Sequence, residues 1–279
     1  MDGEKPATVN QHPISHSHCS SSFYFRNTPG PFSVTVAGKD MVVLTHPQEV
    51  ADAYKIPTLY HDAFVRDFFN QLGVSPVGMR KMFQDPRSFA AKEKSTSMLQ
   101  NENPLYKCFT HYQSDLYKGQ LHPGEQFDVF QGKILRYIDD SLQWDHLSSG
   151  PGATWTINRI IPHERTVSLS DWCREVIVKA TTRAIFGDAL LDIDPNFLQY
   201  FYDFDDESWK LTYQLPRFLS KDAHAVKDKI LDVVVEFLKL PLEKTEDACW
   251  LVKMLGKEQR NIGIGERDIA AMLMVVFWV

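Results

Sequence analysis

Glu266-Arg-Asp-Ile-Ala-Ala-Met-Leu-Met-Val-Val-Phe-Trp-Val279 is apolar on every face from Ile269 onward. A helix that is hydrophobic all round has to be enclosed by protein or lipid. Ile269–Val279 is shorter than the about 20 apolar residues that a membrane-spanning helix needs. The stretch therefore reads as a buried central helix of a globular protein. Helix ends normally satisfy their last carbonyls with Gly, a turn or side chains, and no residue after Val279 does so here. The expectation is the front part of a larger globular protein, cut within its central helix, with apolar surface from Met272 to Trp278 left without a partner and poor solubility as the result.

The composition suits such a core. Of the 279 residues, 43% are hydrophobic and 12% aromatic, which excludes a disordered chain. The net charge of -6 leaves no basic stripe, so nucleic acid is not an expected partner and nothing points to anionic lipid. Cys19, Cys108, Cys173 and Cys249 form no Cys-x-x-Cys pair, which removes the usual zinc and redox spacings and leaves reduced thiols. No Asn-x-Ser/Thr acceptor is present. Residues 1–22 are polar, without a signal-peptide core or a membrane anchor. They read as a disordered tail, and the His12-Pro-Ile-Ser-His-Ser-His-Cys19 run lacks the rigid scaffold that a metal site needs.

Working back from the last helix, the pattern is mainly α with a small N-terminal β-hairpin. Phe32–Val36 alternates apolar with small polar residues, and Met41–Leu44 resumes after Ala37-Gly-Lys-Asp40, which predicts a hairpin. Thr45 is placed to cap a helix with Pro47 in its first turn and Val50, Ala53 and Tyr54 on one face. From about Pro76 to Asn103 the text is irregular, a long loop with short helical pieces. Helices are then expected over Leu105–Tyr117 and Pro123–Trp144, broken at Gly119 and Pro123, the second with Phe127, Phe130, Ile134, Tyr137 and Ile138 at helical spacing. A Gly- and Pro-rich connection covers residues 148–165. Ser170 is expected to cap a helix that Gly187 stops, and another runs from about Pro195 to Tyr213. A stripe of Val226, Ile230, Val233, Val234 and Phe237 ends at Pro241. A helix over Glu246–Gly256 and the turn Ile262-Gly-Ile-Gly265 lead into the last one.

Four segments, in this order and spacing, resemble the amino-terminal half of a cytochrome P-450, the heme-thiolate monooxygenase family. The likeness is nearest to the branch of sterol 7-hydroxylases and prostacyclin synthases and their fungal relatives. Phe32–Val50 is similar to the family's first hairpin and following helix, and Leu116-Tyr-Lys-Gly-Gln-Leu121 to the end of its third helix. Ala184-Ile-Phe-Gly-Asp-Ala-Leu-Leu191 with Phe204-Asp-Asp-Glu-Ser-Trp209 resembles the passage from its fifth helix to its sixth. Gly263–Leu273 resembles the entry to the central helix that crosses the heme. The likeness spans residues 23–279, as one domain.

The resemblance implies a heme cofactor, a redox partner reductase, and a reaction that inserts one oxygen atom from dioxygen into an apolar, sterol- or lipid-like substrate. It also implies a family location at the endoplasmic reticulum membrane, although residues 1–22 supply no anchor and no transmembrane segment is read. The Phe-x-x-Gly-x-Arg-x-Cys-x-Gly loop that holds the iron and the Glu-x-x-Arg pair do not occur in this sequence, and the family's Trp-x-x-x-Arg of the third helix does not occur in the region Leu105–Lys118. No catalytic residue, heme-ligating Cys or metal ligand is therefore carried over, and the chain alone is expected to be inactive. What is carried over is pocket structure: Ser75–Pro104 as a wall, Trp209 to Phe218 as a roof, and Met272, Val275, Val276 and Val279 beside the heme. The alternative is a non-catalytic helical binding protein derived from that family. An unrelated hydrolase is excluded by the lack of a nucleophile elbow, a His-Glu-x-x-His or a phosphate loop.

Overall fold

The computed structural model describes residues 30–36, 38–56, 59, 62–85, 107–143, 156–158 and 166–278. Among these, strands β1 (Phe32–Val36) and β2 (Lys39–Val43) pair antiparallel, Phe32 opposite Val43 and Val36 opposite Lys39. Gly38 takes φ +81° in the turn, a conformation that Cβ disfavours. The turn is tighter than the sequence suggested, because Lys39 and Asp40 already belong to β2. Helix α1 (Pro47–Ala53) follows, and His46 rather than Thr45 stands at its N-cap. There the Glu49 carboxylate accepts from the His46 backbone N–H at 3.3 Å, one half of a capping box. Val50 and Tyr54 lie exposed, so the apolar face of α1 is uncovered by the described residues.

Helices α2 (Asp62–Leu72) and α3 (Pro76–Phe83) come next. α2 was not anticipated, although Val65, Phe68, Phe69 and Leu72 recur at helical spacing. It ends in a Schellman motif: Gly73 (φ +94°) donates to Asn70 and Val74 to Phe69, and Val74 is buried against the core. α3 is a helical piece of the region read as irregular; residues 86–103 of that region lie outside the described residues.

α4 (Phe109–Leu121) and α5 (Glu125–Leu142) form the next pair. The expected break at Gly119 does not occur. Helix α4 runs through Gly119, where a Cβ would lie 3.1 Å from the Trp250 ring, so this glycine admits a neighbouring helix instead of ending its own. A small sheet of β3 (Thr156–Asn158) and β4 (Thr166–Val167) lies between α5 and α6 (Leu169–Phe186). Ser168, not Ser170, caps α6, its hydroxyl accepting from the Asp171 N–H at 3.4 Å. Gly187 stops α6 with φ +72°.

The remainder is α7 (Ala189–Ile193), α8 (Phe197–Glu207), α9 (Trp209–Thr212), α10 (Lys221–Leu238), α11 (Trp250–Asn261) and α12 (Glu266–Trp278). The single helix expected over Pro195–Tyr213 is broken at Ser208, where α8 passes into α9. α11 starts four residues later than expected and continues to Asn261, since its first turn is set by tertiary partners. Buried Gln120 of α4 accepts from the Leu251 N–H at 3.1 Å and donates to the Gln126 carbonyl at 2.8 Å.

α12 lies at the centre, packed on α2, α6, α10 and α11. Ile269, Ala270, Leu273 and Met274 are fully buried, and Met272 is 3% exposed. The expectation of uncovered apolar surface from Met272 onward is thus corrected: the surrounding helices already close over Met272–Met274, and the Trp278 ring packs between aromatic rings.

The first turn of α12 is fixed by three successive charged residues that face three different elements. Glu266 receives both Nε and Nη2 of Arg260 at 2.8 and 3.0 Å. Arg267 reaches Asp228 and Asp232 of α10. The Asp268 carboxylate accepts from the Ser75 N–H at 2.8 Å and the Ser75 hydroxyl at 2.6 Å, while the same hydroxyl accepts from the Gly78 N–H at 3.0 Å and caps α3. A Cβ at Gly78 would fall 2.9 Å from Asp268 Cγ. Gly78→Ala is therefore expected to destabilise the fold by about 1–3 kcal/mol, whereas Gly132→Ala, in the open surface of α5, is expected to stabilise it by about 0.5–1 kcal/mol. Urea midpoints of the two variants, moving in opposite directions, check this.

Candidate functional site

One wall of an apolar cleft of about 610 Å3 is formed by Phe64, Val65, Phe68 and Phe69 of α2. The facing wall is α4, with Thr110, Gln113, Ser114 and Tyr117 at the i, i+3, i+4, i+7 spacing of one helix face. Val275 and Trp278 of α12 lie against both, and Thr212 of α9 completes the lining. The volume falls within the range of small-molecule sites, and so does the chemistry: mostly apolar and aromatic surface with a few polar groups.

The rings are ordered by packing. Phe68 stacks on Trp278 with centroids 5.3 Å apart and planes within 8°, and Phe64 stacks on Phe68 at 6.0 Å. Phe204 of α8 meets Trp278 edge-on at 5.2 Å. Both arrangements are the ones that ring quadrupoles favour. This ladder ties the end of α12 to α2 and α8 and gives the cleft a flat aromatic side.

The polar groups lie on α4, apart from Thr212 of α9, whose hydroxyl donates to the Ser208 carbonyl at 3.3 Å. The Thr110 hydroxyl is committed to the Met82 carbonyl at 3.2 Å. Gln113 Oε1 is shielded from solvent and has no hydrogen-bond partner. The Tyr117 phenol is pushed up to about 12, first by burial and then by the neighbouring Cys249, so it stays a neutral donor at ordinary pH.

Of the pocket residues expected from the sequence, the structure brings Val275 into the cleft. Met272 is buried one turn earlier, its sulfur accepting from Gln259 Nε2 at 3.2 Å. Val276 is half-buried against the core. Trp209 and Phe218 are 48% and 70% exposed and do not line the cleft. Val279 lies outside the described residues. Phe68, Phe69, Gln113, Tyr117 and Trp278 were not singled out. The spacing of Val65, Phe68 and Phe69 could have flagged the α2 wall, but no local pattern distinguishes Gln113 from any other helical glutamine.

The cleft does not fit a heme on its own residues. None of the described residues that line it is a Cys or His. Among the described residues no group of three His, Cys, Asp or Glu side chains is placed to hold a metal ion. Cys108 and Cys249 stand at helix N-caps, where the first amides of a helix have no partner within it. Burial pushes the Cys249 thiol up, outweighing the lowering effect of the nearby Val252 and Leu251 amides, opposite to what a thiolate ligand requires. No described helix is long and apolar enough to cross a membrane. The chain matches no protein-family profile and no curated protein.

Burial of Tyr117 makes a pH prediction. Its folded value, about 12, lies above the unfolded value near 10, so the stability held by the neutral phenol is complete below about pH 10 and is lost as pH rises toward 12. Tyrosinate absorbance of the folded protein is expected to show late-ionising tyrosines, including Tyr202, which burial also raises to about 12. Tyr117→Phe should remove one of them; an unchanged late phase would show that Tyr117 is not the buried phenol.

Proposed function

We propose that this chain forms the apolar-ligand side of a heme-thiolate monooxygenase of the cytochrome P-450 kind and has no oxygenase activity by itself. The observation that carries the reading is the cleft between α4 and α12. α4 holds Leu116–Leu121 and α12 continues the segment Gly263–Leu273 from Glu266 onward; these segments resemble the third and central helices of that family, and an apolar substrate of such an enzyme would sit between them. The order of elements also supports it: hairpin, short helix, helical body, then a central helix enclosed on all sides.

The chemistry available to these residues is binding, orientation and exclusion of water. Phe68, Phe69, Val275 and Trp278 offer an apolar, partly flat surface, and burying a sterol- or lipid-sized body against it releases about 25 cal/mol for each Å2 of apolar area removed from water. When bound in such enzymes, heme supplies the oxygen chemistry. No step is assigned to it here, since the iron-ligating thiolate and the contact with a reductase would have to come from residues outside this sequence. The cleft's lack of a ligating side chain also favours a second reading, a non-catalytic binder of apolar molecules.

Dehydroergosterol, a fluorescent sterol, tests the shared part of both readings. Saturable binding with energy transfer from tryptophan is expected, weakened at least about ten-fold by Val275→Trp, which fills the cleft. Leu135→Trp, on the exposed face of α5, should leave it unchanged. Unsaturable binding, or equal effects of the two substitutions, would refute the cleft as the site. A ferrous carbonyl spectrum separates the two readings. Supplied with heme, this chain is expected to lack the red-shifted Soret band of thiolate ligation, and the appearance of that band on adding a cysteine-loop portion of such an enzyme would support the monooxygenase reading.

A further inference from the structure

Within the cleft, the polar atoms are not scattered. Gln113 and Tyr117 lie four residues apart on α4 and therefore on one face, one turn from each other. Gln113 Oε1 is the unusual atom: it is shielded from water and makes no hydrogen bond, and a buried amide oxygen left in that state is costly. The neighbouring Thr110 hydroxyl cannot relieve it, being bound to the Met82 carbonyl at 3.2 Å. The last torsion of a glutamine is broad and soft, so a small rotation turns the amide oxygen toward the cleft. Opposite stand the flat faces of Phe68 and Trp278, stacked at 5.3 Å.

We propose that Gln113 and Tyr117 form the polar end of this cleft and read a single hydroxyl group on a flat, apolar ligand. The hydroxyl donates to Gln113 Oε1 and accepts from the Tyr117 O–H, and the ligand body lies along Phe68 and Trp278. Because a hydroxyl both donates and accepts, it satisfies both residues at once. An ether of the same body leaves the amide oxygen unpaired, and a plain hydrocarbon leaves both. Burial holds the Tyr117 phenol neutral, so this recognition is expected to be constant across ordinary pH. The inference rests on the cleft being a ligand site, and it adds which residues set selectivity there.

The fluorescent pair hydroxypyrene and methoxypyrene tests it on the full chain. Hydroxypyrene is expected to bind about ten-fold more tightly, the ratio that one well-made hydrogen bond at a buried group supplies. Gln113→Met, close in shape, should bring the two affinities together by weakening hydroxypyrene while methoxypyrene stays within about two-fold. Tyr117→Phe should weaken both probes alike and leave their ratio unchanged, since the ether oxygen also accepts from this phenol. Methoxypyrene binding reports in each Gln113 variant that the cleft has formed. If Gln113→Met loses both probes, Gln113→Ala decides, the ratio again falling to about one. Equal affinities in the native protein, or a preference that survives substitution of Gln113, would overturn the hydroxyl assignment while leaving the cleft as a site. Failure of both probes to bind the native protein would overturn the cleft reading and this inference with it.

Discussion

Burial of Ile269–Met274, the middle of α12, is the constraint on which the other helices depend. A helix with apolar side chains on all faces gains nothing from amphipathic packing on a single partner and is stable only inside a closed sleeve. α2, α6, α10 and α11 make that sleeve. Because Ile269, Ala270, Ala271, Leu273 and Met274 are all fully buried, close packing permits little change of volume at any of them. The helix is also prevented from sliding or turning. Glu266, Arg267 and Asp268 point to Arg260, to α10 and to Ser75 in turn, so one helical turn is referenced to three separate parts of the chain. Each exposed ion pair contributes little alone; the Asp268–Ser75 contact matters more because it also organises the cap of α3.

Fixing the start of α12 fixes where its end falls. Val275 and Trp278 are carried about two and three turns beyond Asp268 to the edge of the core, where the sleeve opens between α2 and α4. The Phe64–Phe68–Trp278 stack closes one side of that opening, and α4 supplies the other. The cleft is thus a consequence of how the central helix is held, and its polar character comes chiefly from one face of α4. This separation of a rigid apolar floor from a polar wall is what lets a few side chains decide which ligand fits.

Much of the helical body was legible in the sequence. The stripe from Val226 to Phe237, the stops at Gly187 and Pro241, and the all-apolar run after Asp268 each carry a local physical signal, and each corresponds to an element found. α2 carried an equally plain signal in Val65, Phe68, Phe69 and Leu72. The features that were not legible depend on contacts distant in sequence. Gly119 looks like a helix break until Trp250 is placed beside it, and the capping of α11 by Gln120 spans 131 residues. The role of Asp268 likewise depends on Ser75, 193 residues away. The cleft itself is made by α2, α4 and α12 together, so of the expected pocket residues Val275 entered it, while exposed Trp209 and Phe218 did not.

Native-state hydrogen exchange tests the central claim most directly. If α12 is the enclosed element around which the fold closes, the amides of Ile269–Met274 should exchange only through global unfolding, with protection equal to the stability measured by denaturant. Those of α5, which has no fully buried residue, should exchange through smaller local openings. Exchange of Ile269–Met274 at rates equal to or faster than α5, with the protein otherwise folded, would contradict the account.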